Sequence, residues 1–196
     1  MSISISSINY CPVKSISFQS IKSCQIKKNI GIVGDRIFAF SKSLDFEQAK
    51  LFEKKLEVRR GKWNKILTLK NSPSLNKYNF VLNVNKLTLT QNNDEILTIN
   101  SNKKVEYELI SNKILELESS LQKPIFLMKN KDIPFFDTSI SNKTLLTHSI
   151  SLINNNSIED FKKKTNYEIE TQRFRGNICV DGIEAWEERD WIGKII

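Results

Sequence analysis

Arg173, Arg175 and Asn177 stand two residues apart in the run Arg173-Phe174-Arg175-Gly176-Asn177-Ile178. On an extended strand, residues at that spacing share one face while Phe174 and Ile178 turn to the other. Two guanidiniums and an amide side by side offer many hydrogen-bond donors and, at the arginines, no acceptor. That composition suits phosphate or another multivalent oxyanion. Of the 30 basic residues only six are Arg, at 36, 59, 60, 173, 175 and 189, which leaves 24 Lys as the chain's ordinary solvating cation. Arginine kept against that bias points to its planar, bidentate fork, which lysine cannot reproduce.

Three other places supply parts for the same chemistry. Cys11-Pro12-Val13-Lys14-Ser15 puts Lys14 and the Ser15 hydroxyl in a turn after the first strand pattern. Gly34-Asp35-Arg36 puts Arg36 directly after a glycine turn, with an ion pair to Asp35 as its plainer use. A short strand over 149–153 hands to a helix over 158–164, and Ser157 with Asp160 reads as a capping box at its start. The open N–H groups and dipole of a helix start favour an anion.

Other chemistries lack their residues. His148 is the single histidine, so a histidine-rich metal site is excluded, and no acid lies at a motif spacing that would make it a triad member. There is no P-loop and no GxGxxG. Cys11, Cys24 and Cys179 form no CxxC pair, and Cys179, between Ile178 and Val180, reads as a buried, inert thiol. The net charge of +8 comes from lysines scattered along the chain, the densest run being Lys162–Lys164. That is a diffuse basic surface rather than a nucleic-acid stripe.

The elements that must position these residues read as mostly β for the first hundred positions. Ile3, Ile5 and then Ile8–Tyr10 suggest an opening strand broken at Pro12, and the stretch 16–26 reads as extended. Gly31 and Gly34 mark a turn before a strand over 36–40. Phe80, Leu82, Val84 and then Leu87, Leu89 alternate, and 91–94 separates them from Leu97 and Ile99, a hairpin signal. From Val105 to Leu121 apolar residues recur at three and four, predicting a helix with Asn102 as N-cap and Pro124 as stop. The segment 129–143, with Pro134, reads as a loop. A 39% hydrophobic chain of 196 residues with 11 Phe and 3 Trp has material for a real core. The fold class is therefore α+β and β-rich, with a small barrel or curled sheet. An odd cysteine count without an export signal points to the cytoplasm, and no stretch approaches the ~18 apolar residues of a membrane span.

Taken in order, these motifs resemble the MOSC family, the molybdenum cofactor sulfurase C-terminal domain proteins, in the branch with an N-terminal β-barrel that includes the mitochondrial amidoxime reducing component. The matching pieces are Tyr10-Cys11-Pro12-Val13-Lys14-Ser15, Gly34-Asp35-Arg36-Ile37-Phe38-Ala39, and Ile150-Ser151-Leu152-Ile153-Asn154 with Ser157-Ile158. The last is Arg173-Phe174-Arg175-Gly176-Asn177-Ile178 with Val180-Asp181-Gly182, Trp186, Glu188, Trp191 and Gly193. The resemblance implies an N-terminal β-barrel-like domain with a helix over 1–122 and the start of a MOSC β-barrel core over 123–196. It implies the molybdenum cofactor (molybdopterin) in a basic cleft, with Lys14, Ser15, Arg36, Ser157, Arg173, Arg175 and Asn177 lining the pterin and phosphate pocket.

The activity implied is two-electron reduction of small N-hydroxylated substrates, with electrons from separate partner proteins. A sulfur-carrying or cofactor-sulfurating role and a non-catalytic cofactor-binding role are the alternatives. Family members continue past the Asp-Trp-x-Gly strand, here Asp190-Trp191-Ile192-Gly193, to a loop bearing the cysteine whose thiolate binds molybdenum. The resemblance thus implies a chain that stops short of that cysteine, and no catalytic or metal-ligating residue is assigned.

Overall fold

The computed structural model describes residues 2–28, 30–136 and 149–194. His148 and positions 137–143 of the expected loop lie outside the described residues. In chain order the strands are β1 (Ser4–Tyr10), β2 (Gln19–Ile21), β3 (Ile26–Lys27), β4 (Gly31–Ile32), β5 (Phe38–Phe40), β6 (Tyr78–Asn83), β7 (Lys86–Gln91), β8 (Asp94–Asn100), β9 (Leu127–Lys129), β10 (Leu152–Asn154) and β11 (Ile178–Asp181). The helices are α1 (Phe46–Lys54), α2 (Leu56–Arg59), α3 (Tyr107–Leu117) and α4 (Asn155–Thr165). The protein is thus a mixture of α and β. Among the described residues the strands form four separate sheets, ordered β10-β11-β1-β2, β3-β4, β5-β9 and β6-β7-β8, and none closes into a barrel.

The chain divides into two compact units. The first gathers residues 1–9, 20–24 and 150–196, and the second holds 10–19 and 25–149. The boundary drawn at 122/123 from the sequence falls inside the second unit.

In the first unit β11 pairs antiparallel with β1, Ile8 opposite Ile178 and Ile5 opposite Val180, with an irregularity between Ile5 and Ser7. β10 runs parallel to β11, Leu152 opposite Ile178. Parallel neighbours need a long crossover, and α4 lies in it. Cys179 sits in β11 at 6% exposure, the buried thiol read from the sequence.

In the second unit the alternation from Phe80 onward becomes the β6-β7-β8 meander, with Phe80 opposite Leu89 and Leu87 opposite Ile99, all four buried. Asn92 and Asn93 close its second turn in the left-handed region, where Asn is tolerated. Tyr107, Ile110 and Ile114 of α3 join the same core, together with Phe38 and Phe40 of β5, and each fully buried side chain contributes about 1.5–3 kcal/mol.

Two expectations are corrected here. The first hundred residues, read as mostly β, also carry helices, and α1 starts at a capping box: Gln48 N–H donates to Asp45 Oδ1 (2.8 Å) and Asp45 N–H to Gln48 Oε1 (3.2 Å). It buries Ala49, Phe52 and Glu53. Asn102 does not cap α3. Its N–H donates to Asn100 Oδ1, and Asn100 N–H in turn donates to Glu106 Oε2 (2.6 Å). These bonds wind 100–106 into a tight lead-in, so the helix starts only at Tyr107.

Arg59 anchors the segment after β9. Its guanidinium donates to the carbonyls of Phe52 (2.6 Å), Glu53 (2.5 Å), Ile133 (2.7 Å) and Pro134 (3.1 Å) and lies over the Phe135 ring. Burial, only partly offset by the Glu53 charge, lowers its pKa to about 10.

Close approach also fixes a glycine in the first unit. A Cβ on Gly176 would stand 2.3 Å from Ile153 Cγ1 and 3.2 Å from Ile153 Cβ, on a branched side chain stiff at χ1. Gly176→Ala is therefore expected to lower stability by about 1–3 kcal/mol. The check is the midpoint of urea unfolding followed by circular dichroism, and an unchanged midpoint would contradict the packing.

Candidate functional site

Lys14, Ser15 and Arg36 are brought together by two turns of the second unit. Pro12 has no N–H to give a ladder, so the chain leaves strand geometry there and Val13 forms a parallel bridge with Phe38. Arg36 N–H donates to Cys11 O (2.6 Å), Phe38 N–H to Pro12 O (2.9 Å) and Lys14 N–H to Phe38 O (2.8 Å). A fourth bond runs from Cys11 N–H to Asp35 Oδ1 (2.7 Å). Ser17 closes the turn from its far end, its hydroxyl accepting from Val13 N–H and donating to Val13 O, both at 2.8 Å.

Both turns hold side chains in left-handed backbone, Ser15 at φ 65° and Arg36 at φ 52°. Gly34, at φ 93°, faces the Tyr10 ring. Asp35 is 2% exposed and forms an ion pair with Arg36, whose guanidinium also lies 4.9 Å from the Phe136 ring centre. Burial, and after it the Asp35 charge, pushes the Tyr10 phenol above its ordinary pKa. Lys14 is buried and Ser15 half-buried. The arrangement sets a guanidinium held by Asp35, a buried lysine and a half-buried hydroxyl on two adjoining turns, residue types that suit an oxyanion.

The other four candidates lie in the first unit, and there the strand argument fails. Thr171–Phe174 form a 3-10 turn, with Arg173 N–H donating to Glu170 O and Arg175 N–H to Gln172 O, both at 3.0 Å. Arg175 follows in left-handed backbone at φ 53°, and β11 starts only at Ile178. Arg173 and Arg175 therefore do not share a strand face with Asn177. Phe174 is 45% exposed and is not a core residue. The local reason is the turn needed to seat Gly176 against Ile153 and Asn177 in the interior.

Asn177 is 3% exposed and ties segments of that unit together. Its Nδ2 donates to Asn9 O (3.1 Å), and its Oδ1 accepts from Ser151 N–H (3.2 Å) and the Ser151 hydroxyl (3.0 Å). Ser157 is not the N-cap of α4 either. That place belongs to Asn154, whose Oδ1 accepts from Asn156 N–H (3.0 Å), while Nδ2 reaches Glu184 O and Glu188 Oε2, both at 2.8 Å. Ser157 sits one turn in, donating to Glu188 Oε1 (2.7 Å) and accepting from Trp186 N–H (2.8 Å). Asp160 accepts from Trp186 Nε1 (2.5 Å) and pairs with Lys164 (2.8 Å). The strand expected at 190–193 is replaced by a 3-10 turn, Glu187–Trp191. Motif reading named Glu188 but gave it no role, because its partners Asn154 and Ser157 come from more than thirty positions away.

Among the described residues no group of three or more His, Cys, Asp or Glu could hold a metal ion. Cys11 and Cys179 are both buried. No family model matches the chain, and no curated protein matches it.

Burial raises the Glu188 carboxyl pKa, but hydrogen bonds from Asn154, Ser157 and its own backbone N–H, with the Arg189 charge, outweigh it and hold the pKa below the ordinary value. A carboxyl whose folded pKa is depressed stabilises the protein above its unfolded pKa and loses that contribution as pH falls through the folded one. Stability is thus expected to fall on acidification below about pH 4.3, the ordinary glutamate value. Glu188→Gln should flatten that part of the profile, measured as melting temperature against pH. An unchanged slope would show that the clasp carries no proton linkage.

Proposed function

We propose that this chain binds the molybdenum cofactor, with Lys14, Ser15 and Arg36 holding the phosphate and pterin oxygens. The observation that carries the reading is the pair of turns stapled by Cys11, Pro12, Asp35 and Phe38, which holds on adjoining backbone three of the seven residues that the MOSC resemblance assigns to the cofactor. The donor set fits an oxyanion. Arg36 gives one Nη to Asp35 and has further N–H groups in its fork, and the half-buried Ser15 hydroxyl is not spent on another described residue. When bound, the cofactor would supply two-electron reduction at molybdenum, with N-hydroxylated compounds as substrate and separate proteins as electron donors.

On this reading the chain's own residues bind and orient. Arg36 grips in the plane of an oxyanion, Lys14 adds a fixed charge, and Ser15 donates one hydrogen bond. Arg173, Arg175, Ser157 and Asn177 belong to the first unit and enter this reading only through the MOSC resemblance. The same reading makes the small sheets parts of an N-terminal barrel-like module and a MOSC core in a cytoplasmic protein. Among the described residues no helix is long and apolar enough to cross a membrane.

The test is pterin content and affinity after production in a host that makes the cofactor, read by the fluorescence of the oxidised pterin. Arg36→Lys keeps charge and loses the fork, and is expected to weaken binding. Arg36→Ala should cost more, on the order of 2–5 kcal/mol for a buried charged contact. Ser15→Ala should weaken binding with no change in melting temperature, which separates ligand loss from the destabilisation of leaving Asp35 unpaired. A parent chain that retains no pterin, or variants that bind as tightly as the parent, would overturn the reading.

A further inference from the structure

Two hollows of the second unit use none of the residues assigned to the turn pair. The first is a groove of about 630 Å³ beside α1, α3 and the segment 123–127, lined by apolar groups that include Phe46, Val105, Leu115, Pro124 and Phe126. Phe46 is 55% and Val105 80% exposed, so the apolar lining opens to solvent. Ser111, which lines the groove, is engaged: its Oγ donates to Tyr107 O and accepts from Leu127 N–H. A groove of mainly apolar surface with polar groups in its lining, here Lys50, Glu108, Asn112 and Lys123, is the ordinary form of a small-molecule site.

The second hollow, of about 390 Å³, is lined by Lys54, Lys104, Lys129 and Lys131, with Glu53 and Asp132. Glu53 and Lys104 line both hollows, so the two abut at that ion pair. Four ammonium groups therefore meet two carboxylates. One of these is already committed, since buried Glu53 accepts from Lys104 Nζ at 3.0 Å and from Lys129 N–H at 3.0 Å. Lys129 is held in place by Ser101 O (2.7 Å) and Asn102 Oδ1 (3.0 Å). Burial, and then the charges of Lys131 and Lys104, draw its pKa below the ordinary lysine value, so the cations repel one another as they stand.

We propose that the two hollows form one site for an amphiphilic anion, its phosphate-like head among Lys54, Lys104, Lys129 and Lys131 and its alkyl or aryl body in the groove beside Phe46, Val105 and Phe126. The head relieves the repulsion among the lysines, and the body covers apolar surface otherwise left in water.

Calorimetric titration of the full chain with dodecyl phosphate below its micelle threshold, at physiological salt, tests this. Inorganic phosphate and dodecyl maltoside serve as separate arms. Dodecyl phosphate is expected to bind once per chain and roughly tenfold or more tighter than either arm. Lys131→Ala and Val105→Asp, both at exposed positions, should each weaken it by about fivefold or more with the melting temperature kept, whereas Lys163→Ala on α4 should not. Inorganic phosphate binding as tightly as dodecyl phosphate would overturn the role of the groove, and maltoside binding as tightly would overturn the role of the lysines. Parent-like binding by both variants, or no binding by the parent chain, would overturn the site.

Discussion

A buried carboxylate constrains the second unit. Asp35 is almost wholly out of water, and an ionised carboxylate there persists only when its oxygens find donors. One donor is the Cys11 N–H and another is the Arg36 guanidinium. Meeting both demands turns Arg36 back through left-handed backbone and holds 11–14 beside 36–38. Phe38, fixed by that bridge, then sets the register of β5 on β9, Phe38 opposite Lys129, and enters the core with Phe80 and Ile110. The geometry of the candidate site and the placement of the core thus have one electrostatic origin.

How far this was legible depends on the range of the interactions. The β7-β8 hairpin could be read because alternation and a two-residue Asn turn are local signals, whereas the turn between β6 and β7 was missed because Val84, in left-handed backbone there, reads as one more apolar strand position. The break at Pro12 and the glycine turn before Arg36 were equally local. The capping box at Asp45 and Gln48 was also there to be found, but it is short and sits among residues that otherwise read as β. The segment around Arg173 misled because i,i+2 spacing carries meaning only on a strand. What decides its backbone is the fit of Gly176 against Ile153 and of Asn177 against Asn9 and Ser151, all distant in sequence.

The scarcity of arginine was a sound clue with more than one answer. Arg36 gives one Nη to the Asp35 carboxylate beside the candidate site. Arg59 uses its fork on four backbone carbonyls, stitching α1 and α2 to the segment after β9. Lysine could not replace Arg59, since planar multidentate donation is what that place requires. Composition marks where such geometry is needed and leaves open whether the acceptor is a ligand or the protein's own backbone.

The pairing of β1 with β11 carries a consequence for biosynthesis. Ile8 lies opposite Ile178, so one edge of β1 meets its partner β11 only after another 170 residues have been made, whereas β2 on the other edge follows at once. At ordinary elongation rates that is a wait of roughly 10–35 s. Throughout that interval Ile5 and Ile8 travel on a strand with one open edge, a template for any other extended segment nearby. The second unit, whose contacts lie within residues 10–149, can be complete before that moment. The β11-facing edge of β1 is therefore covered late although β2 lies along the other edge, and a nascent-chain chaperone would have a long task there.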